Sequence, residues 1–380
     1  MGEVANIPQL RFPEFSNEWE ESKVGKVFKV SAGGDIKTEN VSQIKTDGFP
    51  YPIYANAEKA KGLYGYSNLY KSEANVVTVA GRGVNIGIAH VRLEPFYPIV
   101  RLLVLNPIKD ADVKFWENQL NQLNLFVEST GVPQLTAPQI SSYKVKYPSK
   151  PEQQKIAAFL TAVDNKIEQL SKKQELLGEY KKGLMQQIFS QAIRFKADDG
   201  SDFPDWEEKK LGDVSDCLDN RRQPLNGAER NQMKGDIPYY GANGIVDYVN
   251  DYIFDEELVL LAEDGGNFND FSSKPIAQKI SGKAWVNNHA HILKAKNIIA
   301  TDFLFYSLVH KDIRRYIVGG SRAKLNKSDL LSIKTILPPL EEQAKIASFL
   351  SSIDNKIEQV GKQLVESKQF KKALLQQMFV

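Results

Sequence analysis

The sequence predicts an α+β fold of two similar β-rich domains with short helices, separated by two long helices that form an antiparallel coiled coil. Three observations lead to this class. The segment KIAAFLTAVDNKIEQL (155–170) returns as KIASFLSSIDNKIEQV (345–360). Apolar residues within each copy recur at steps of three, four or seven, which is a heptad pattern. Short apolar runs bounded by Gly, Pro and Asn, such as NVVTVAG and ELVLLAE, are typical of strands.

The two β-rich domains are predicted from a duplication that extends beyond the helices. The further matching pairs are WEESKVGKV (19–27) with WEEKKLGDV (206–214), ANVVTVAGRG (74–83) with EELVLLAEDGG (256–266), and KKGLMQQIF (181–189) with KKALLQQMF (371–379). A period of about 190 residues is far longer than a solenoid repeat. We therefore predict an internal pseudo-twofold repeat with four parts: domain 1 (1–148), helix 1 (149–190), domain 2 (191–337) and helix 2 (338–380).

The two long helices are predicted from apolar seams that match in phase. The seam of helix 1 includes Ile156, Leu160, Leu170 and Ile188, and that of helix 2 includes Ile346, Leu350, Val360 and Met378. Pro151 and Pro339 stand where a helix begins, since proline is tolerated in the first turn. Each seam is predicted to pack against the other; the alternative is an amphipathic helix lying on its own domain.

Composition excludes several classes of protein. The 380 residues carry a formal net charge of +2 and 42% hydrophobic residues. Cys217 is the single cysteine, which excludes intramolecular disulfides and cysteine-rich zinc sites and favours a reducing, cytoplasmic location. No apolar run reaches the length that a membrane span requires. Binding to nucleic acid would therefore depend on local rather than overall charge.

The order of motifs resembles the specificity subunit of type I restriction–modification systems. The resemblance covers essentially the whole chain, through LRFPEF…WEESKVGKV, PEQQKIAAFLTAVDNKIEQL, FPDWEEKKLGDV and LPPLEEQAKIASFLSSIDNKIEQV. It implies two target recognition domains, each followed by a helical spacer. It also implies assembly with two methyltransferase subunits and, through the complex, with restriction (motor–nuclease) subunits. The complex would methylate adenine in DNA and cleave DNA with ATP.

The sequence contains none of the motifs that such chemistry would require within this chain. The only Pro-Pro, Pro338-Pro339, lacks the aromatic residue of an adenine methyltransferase motif, and Gly282-Lys283 is followed by Ala284 rather than Ser or Thr. His289 and His291 alternate along a strand but lack a nearby third metal ligand. We expect no catalytic residue, no cofactor and no metal.

Candidate DNA-binding residues are side chains that read base edges or bind phosphates, clustered in Gly-rich or basic loops. In domain 1 they are Arg82, Tyr54, Asn56, Lys59, Lys61, Tyr64, Gln134 and Thr136. In domain 2 they are Arg221, Arg222, Gln223, Arg230, Asn231, Asn243, Arg322, Lys324, Asn326 and Lys327. The alternative for Arg82 is a solvated hairpin arginine, and that for the loop 219–232 is a solvated loop without contacts.

The polar faces of the long helices repeat as well, although a coiled-coil seam would not require identical solvent-side residues. The repeated residues predicted to dock methyltransferase subunits are Lys155, Asp164, Asn165, Lys166, Lys345, Asp354, Asn355 and Lys356. The alternative is plain inheritance from a duplication.

Two similar domains held apart by paired helices predict a non-catalytic protein that reads double-stranded DNA. Each domain would read one half of a bipartite, asymmetric site, and the helices would set the spacing between the halves. The competing interpretation is a coiled-coil scaffold whose two domains bind peptides or proteins.

Overall fold

We describe residues 7–57, 59–123, 125, 133–320 and 323–380 of a computed structural model of the chain, without the side chains of Lys59 and Ala60. The chain folds into two compact units. The first unit extends to Lys172 and includes Gly361–Val380, and the second is Lys173–Val360. Within the described ranges, no helix combines the length and apolar character needed to cross a bilayer.

The first unit contains short strands, three short helices and the first part of a long helix. Its strands are β1 (Glu20–Lys23), β2 (Phe28–Ala32), β3 (Val41–Ser42), β4 (Tyr51–Tyr54), β5 (Leu63–Ser67), β6 (Val76–Val79), β7 (Ala89–Arg92), β8 (Tyr97–Pro98), β9 (Leu103–Pro107) and β10 (Lys144–Tyr147). The helices that begin in it are α1 (Val24–Val27), α2 (Val113–Asn121), α3 (Ala137–Ser142) and α4 (Lys150–Phe189).

Two four-stranded sheets form the body of the first unit. One is antiparallel with the order β2-β9-β6-β7, and the other has the order β3-β5-β4-β8, in which β4 and β8 run parallel. A separate antiparallel pair, β1 with β10, leads directly into α4. β6 is buried at every position, as expected for an interior strand with apolar residues on both faces.

The second unit repeats this plan. Its strands are β11 (Glu207–Lys210), β12 (Ser215–Cys217), β13 (Lys234–Gly241), β14 (Gly244–Val249), β15 (Phe254–Asp255), β16 (Leu258–Ala262), β17 (Ala277–Ile280), β18 (Lys283–Val286), β19 (Ala290–Ala295), β20 (Ile317–Val318), β21 (Lys324–Leu325) and β22 (Lys334–Leu337). The helices that begin in it are α5 (Leu211–Val214), α6 (Gly227–Gln232), α7 (Thr301–Leu308), α8 (Lys327–Ser332) and α9 (Leu340–Met378).

The antiparallel sheet and the separate strand pair of the second unit match those of the first, whereas the mixed sheets share their parallel pair but differ in their edge strands. The antiparallel sheet β12-β19-β16-β17 corresponds to β2-β9-β6-β7, and the pair β11 with β22 corresponds to β1 with β10. The second sheet, β14-β13-β18-β15, again contains one parallel pair, β13 with β18. This correspondence confirms the predicted α+β class and internal repeat.

The long helices pack against each other in antiparallel fashion inside each unit. In the first unit, Asp164 of α4 pairs with Lys371 of α9 at 2.6 Å, and Leu160 shares a core with Leu374. In the second unit, Lys181 of α4 pairs with Asp354 of α9 at 2.5 Å. Since residue numbers rise along α4 as those of their partners fall along α9, the predicted antiparallel pairing is confirmed.

The helices also pack on the domains. Ile156 and Leu160 of α4 belong to the core of the first unit, together with Trp19, Phe115 and other buried residues. Ile346 and Leu350 of α9 hold the equivalent place in the second unit, as does Trp206. The apolar residues at the start of each long helix therefore pack against a domain as well as against the other helix.

A buried carboxylate fixes the start of each long helix. Glu152, which is 1% exposed, accepts two hydrogen bonds from Arg11, both at 2.7 Å, and a longer one from the Trp19 indole. Glu342, which is fully buried, accepts from Arg194 and Trp206 in the same way. These contacts tie the segment that precedes each domain to the helix that follows it. They explain why the residue pattern around the helix start occurs twice.

Candidate nucleic-acid interface

The loop after β6 brings three predicted DNA-binding residues of the first unit together. The backbone N–H of Gly81 donates to the Asn56 side chain at 2.9 Å, and the backbones of Arg82 and Gln134 form a β-bridge. A Cβ at Gly81 would lie 2.9 Å from the Arg101 carbonyl oxygen, so only glycine allows this close approach. Arg82 itself is exposed and has no side-chain partner among the described residues. This arrangement presents a free guanidinium at the tip of a well-anchored loop.

A second loop of the first unit, between β4 and β5, carries the other basic and aromatic candidates. Lys59–Gly62 forms a short 3-10 helix in which Lys61 is exposed and has a left-handed φ of +53°. Tyr64 is 53% exposed at the start of β5. Tyr54 is half-buried, and its burial raises the pKa of the phenol. Lys61 and Tyr64 are thus accessible, whereas Tyr54 lies against the sheet.

Two candidates in the first unit are already engaged by the protein. The Asn56 amide bonds Gly81 through its oxygen and the Val100 carbonyl through its nitrogen. The Thr136 hydroxyl donates to the Gln139 side chain at 2.8 Å in a capping box at the start of α3. Both side chains hold loop backbone in place, and their contact with DNA stays a prediction.

The three predicted arginines between β12 and β13, the last of them on α6, each pair with a carboxylate in the second unit. The pairs are Arg221 with Glu256 at 2.9 Å, Arg222 with Glu263 at 2.5 Å, and Arg230 with Asp247 at 3.1 Å. Arg222 retains only 15% of its side-chain exposure and also donates to the Ala290 carbonyl. This geometry favours a structural role for Arg222 and leaves Arg221, at 43% side-chain exposure, accessible.

Four other candidates of the second unit are exposed. Gln223, Asn231 and Lys327 make no side-chain hydrogen bond or ion pair within the part of the chain that the structure describes. Asn243 donates to the Gly265 carbonyl at 2.8 Å and so supports the loop after β16. The side chains of Gln223, Asn231 and Lys327 are therefore accessible to a ligand.

The last group of candidates lies between β20 and α8. Lys324 pairs with Glu263 at 3.0 Å, and its backbone forms a β-bridge with Asp264. Asn326 stands at the N-terminus of α8 and donates to Asp329 at 3.1 Å. Arg322 lies outside the described residues. The structure thus brings Lys324 to the same loop tip that Arg82 and Gln134 occupy in the first unit.

A buried ionic network supports this second loop tip. His291, 1% exposed, bonds Asp219 at 2.6 Å through Nδ1 and the Leu325 carbonyl at 2.8 Å through Nε2. Burial opposes the charged imidazolium, but the hydrogen bonds with Asp219, Cys217 and the Leu325 carbonyl outweigh it and raise the pKa of His291 to about 9. Burial likewise opposes the Glu263 carboxylate, but Arg222 and Lys324 lower its pKa.

The same network contains a potential metal-ligand cluster that the sequence did not reveal. Ligand atoms of Cys217, Asp219 and His291 lie within 4.8 Å of one another. Both ring nitrogens of His291 already face hydrogen-bond acceptors, so a metal would have to displace Asp219 from Nδ1. Arg222 also lies 3.3 Å from the Asp219 carboxylate and would repel a cation. This chemistry favours a charged histidine over a metal ion.

The repeated polar face of the long helices separates into two groups. Lys155 pairs with Glu14, Lys345 with Asp198, Asp164 with Lys371 and Asp354 with Lys181. The remaining four residues are exposed and have no side-chain partner in the ranges described above. These four are Asn165, Lys166, Asn355 and Lys356. The four ion-paired residues contact other parts of this chain, and the four exposed residues are accessible to a partner protein.

Sequence reasoning did not single out Arg92, which is buried beneath the predicted DNA-binding loop of the first unit. A possible signal was its place at the end of the strand AHVR, opposite the buried Val76. A charged residue at an inward-facing strand position is uncommon and needs a reason.

Comparisons with known proteins agree with the repeat. The family described as type I restriction modification DNA specificity domain matches twice, at residues 16–177 and 204–367. The chain belongs to this family. A type I restriction enzyme specificity subunit of Methanocaldococcus jannaschii is 28% identical over 313 residues, which cover 73% of this chain and 71% of that protein.

Two further similarities concern part of the sequence and the fold. A Haemophilus influenzae protein assigned provisionally as such a subunit is 37% identical over 148 residues, or 39% of this chain; the matched part is 37% of that protein's length. The crystal structure of a type I restriction–modification S subunit from M. genitalium has a TM-score of 0.69 at 18% identity, covering 98% of this chain and 99% of that one.

Proposed function

We propose that this chain selects the DNA sequence for a type I restriction–modification complex, with each recognition domain reading one half of a bipartite, asymmetric site. One observation carries the proposal: the two units share a backbone frame but present different side chains at the same loop tip. Arg82 and Gln134 stand at the tip of the first unit, and Asp264 and Lys324 at that of the second, where Asp264 pairs with His289 and Lys324 with Glu263.

The chemistry of the two tips favours different bases. Arginine bonds guanine and glutamine bonds adenine through two hydrogen bonds each, whereas an aspartate accepts from cytosine and a lysine donates to guanine. A good pair of this kind discriminates by about 1–3 kcal/mol. Two tips with unlike chemistry would read two unlike half-sites, so the complete site would be asymmetric.

The long helices would set the distance between the half-sites. α4 comprises 40 residues, and at a rise of about 1.5 Å per residue it is about 60 Å long. Half-site spacing in DNA readers follows from the protein's geometry. The bases between the two halves would remain unread.

The exposed helix residues would bind the other subunits. Asn165 and Lys166 on α4, and Asn355 and Lys356 on α9, occupy equivalent exposed positions of the repeat and lack partners in the described part of the chain. One methyltransferase subunit would dock on each pair, and restriction subunits would join through the complex. This chain would supply no catalytic group; methylation and cleavage would take place on the other subunits.

Selection from a pool of random duplexes, with the methyltransferase subunits present, tests the proposal. We expect the wild-type complex to enrich a two-part motif, and Arg82→Ala to relax one half of it without changing the other. Lys324→Ala is the matched variant for the opposite half. Enrichment of no motif would contradict the proposal and would favour the scaffold interpretation.

Insertion of four residues after Gly178 tests the role of the helices. We expect the unread gap to lengthen while both half-sites keep their bases. A change in the bases themselves would show that the helices do more than set the spacing.

A further inference from the structure

Arg92 is a buried cation that forms no direct ion pair with any described residue. It ends β7 and is 4% exposed. The carboxylate of Glu117, whose side chain is 23% exposed and which pairs with His90, acts on Arg92 only through its charge and forms no direct ion pair with it among the residues that the structure describes. Buried charges are ordinarily paired, because desolvation of an isolated ion is costly. The reason for a guanidinium at this place must therefore lie in its other contacts.

Those contacts converge on the loop between β4 and β5. Nε of Arg92 donates to the Thr78 hydroxyl at 2.9 Å, and Nη2 donates to the Lys61 carbonyl at 2.7 Å. The guanidinium lies 3.6 Å from the centre of the Tyr54 ring. A planar guanidinium fixes the direction of each of these contacts at once. Arg92 thus connects β6, Tyr54 and the backbone of Lys61 through one rigid group.

This loop has little apolar packing beneath it. A cavity of about 150 Å³ lies below the loop, lined by Ala55, Ala57, Ile88 and Arg92 among others. Lys61 adopts a left-handed backbone, which is strained for a residue with a Cβ. Because small side chains and a cavity provide weak support, the hydrogen bond from Arg92 to the Lys61 carbonyl holds the strained turn in place.

The second unit shows that the frame does not require an arginine here. Val76 pairs with Arg92 in the first unit, and the equivalent Leu258 pairs with Ile280 in the second. Ile280 is 2% exposed, so an apolar residue completes the same sheet position. The guanidinium is therefore an addition specific to the first unit rather than a condition of the fold.

We infer that Arg92 is a positioning residue that determines the specificity of the first recognition domain. Without touching DNA, it sets the height and orientation of the turn at Lys61, and of Tyr64 at the start of β5, relative to the tip at Arg82. This inference rests on the proposed function. It differs from that proposal in naming a buried residue that the DNA does not reach.

The test uses the complete specificity chain with its methyltransferase subunits and the same duplex selection. Arg92→Met removes the guanidinium and keeps an unbranched apolar chain, and Arg92→Ile copies the second unit. We expect both variants to alter or relax the base preference of the first half-site about tenfold, which corresponds to the loss of a good base contact. The second half-site should keep its preference. Arg92→Lys keeps the charge but not the planar fork and should restore the preference only in part.

Salt dependence of binding separates positioning from direct contact. Log K falls as log salt rises, and loss of one phosphate contact reduces the magnitude of this negative slope by about 0.9. Since Arg92 positions Lys61, we expect Arg92→Met to reduce the magnitude of the slope no more than the control Lys61→Ala does, and the double variant Arg92→Met, Lys61→Ala to show no further reduction. Faster hydrogen exchange confined to residues 51–67 should accompany the altered preference.

Several outcomes would overturn the inference. An unchanged first half-site in both apolar variants would show that the loop does not need Arg92. A further reduction of about 0.9 in the double variant, beyond that of Lys61→Ala, would assign Arg92 to a phosphate of its own. Failure of both variants to fold would make the residue a stability element only. In each case a two-part motif from the wild-type complex would leave the proposed function standing, whereas its absence would reject that function itself.

Discussion

The first and second units differ in chemistry at an equivalent position of their antiparallel sheets. In the first unit, Ala32 of β2 pairs with Leu103 of β9. In the second, His291 of β19 occupies the position of Leu103, because it pairs with Leu261 as Leu103 pairs with Val79. The position that is occupied by the apolar Leu103 in the first unit is occupied by the buried, charged His291 in the second.

The loop tips show the same contrast on an identical backbone. Leu135 donates to the Gly81 carbonyl at 2.8 Å, and Leu325 donates to the Glu263 carbonyl at 2.7 Å. The glycine of the first tip is thus replaced by a carboxylate that Arg222 and Lys324 neutralise. The backbone hydrogen bonds survive this exchange because they do not depend on side-chain identity.

The comparison teaches that strand pairing and apolar packing fix the frame, while the residues around each tip can change. The change is permitted only in compensated sets: His291 with Asp219, and Glu263 with Arg222 and Lys324. A single buried charge without its partner would be costly. The helix starts, by contrast, keep the same buried carboxylate, arginine and tryptophan in both units.

The largest expected effect comes from breaking a feature that the two units share. Glu152→Ala and Glu342→Ala each leave an arginine and an indole without their buried acceptor, and removal of one partner of a buried ion pair costs about 3–5 kcal/mol. We expect both variants to lose stability by similar amounts, measured by urea unfolding. Hydrogen exchange should rise in β1 and β10 for the first variant and in β11 and β22 for the second.

Glu341→Ala is the control for these substitutions, because Glu341 is exposed and lies next to Glu342. It should change stability by less than about 0.5 kcal/mol. A large loss of unfolding free energy for only one of the two glutamate variants would show that the shared contacts stabilise the two units unequally.

A smaller effect should distinguish the units by pH. The pKa of His291 is about 9 in the folded protein and about 6.5 as an unperturbed side chain. A raised folded pKa stabilises fully below pH 6.5, and this contribution is lost as pH rises through 9. We expect the second unit to lose up to about 3 kcal/mol between pH 6.5 and 9.5, measured by urea unfolding.

The double variant Asp219→Ala, His291→Leu tests the cause, since it copies the apolar pair of the first unit. Its stability should be nearly independent of pH across this range. The charged groups that face His291 are Asp219, Glu263 and Arg222. The Cys217 thiol also contacts His291, but both proteins contain it, so it cannot account for a difference between them. An equal loss of stability in the variant would exclude His291 as the source.

The long helices and the repeat could be predicted from the sequence because their signals are local and periodic. The heptad steps and the prolines at the start predicted helices that the structure places at Lys150–Phe189 and Leu340–Met378. Strands such as Val76–Val79 followed from short apolar runs bounded by turn residues. These features need no knowledge of distant partners.

The chemistry of the candidate interface was less predictable because ion pairs join residues that are far apart in the chain. Arg222 and Arg230 are of the residue type that reads bases, yet they form ion pairs with Glu263 and Asp247. Arg92 went unnoticed for the opposite reason. Its strand is short, and its value depends on a loop turn and a cavity that a linear pattern does not encode.

The smallest expected effect concerns the helix pair, where two equivalent aspartates have unequal surroundings. Among the described residues Asp164 pairs with Lys371 alone, whereas Asp354 pairs with Lys181 and also accepts a hydrogen bond from the Tyr306 hydroxyl at 2.7 Å. Burial and this hydrogen bond raise the pKa of Tyr306. Removal of Asp354 would leave the hydroxyl of Tyr306, a residue that is 5% exposed, without its acceptor, which costs about 1–3 kcal/mol.

Asp164→Ala should therefore cost at most about 1 kcal/mol, as for other exposed ion pairs, and Asp354→Ala about 1 kcal/mol more. The gain in helix propensity from alanine is the same at both sites and cancels in the comparison. Urea unfolding of both variants measures the difference, and Asp354→Ala combined with Tyr306→Phe should recover part of it. If Asp164→Ala and Asp354→Ala lowered the free energy of unfolding equally, the Tyr306 hydrogen bond would add nothing to stability. The two aspartates would then contribute equally to the helix pair.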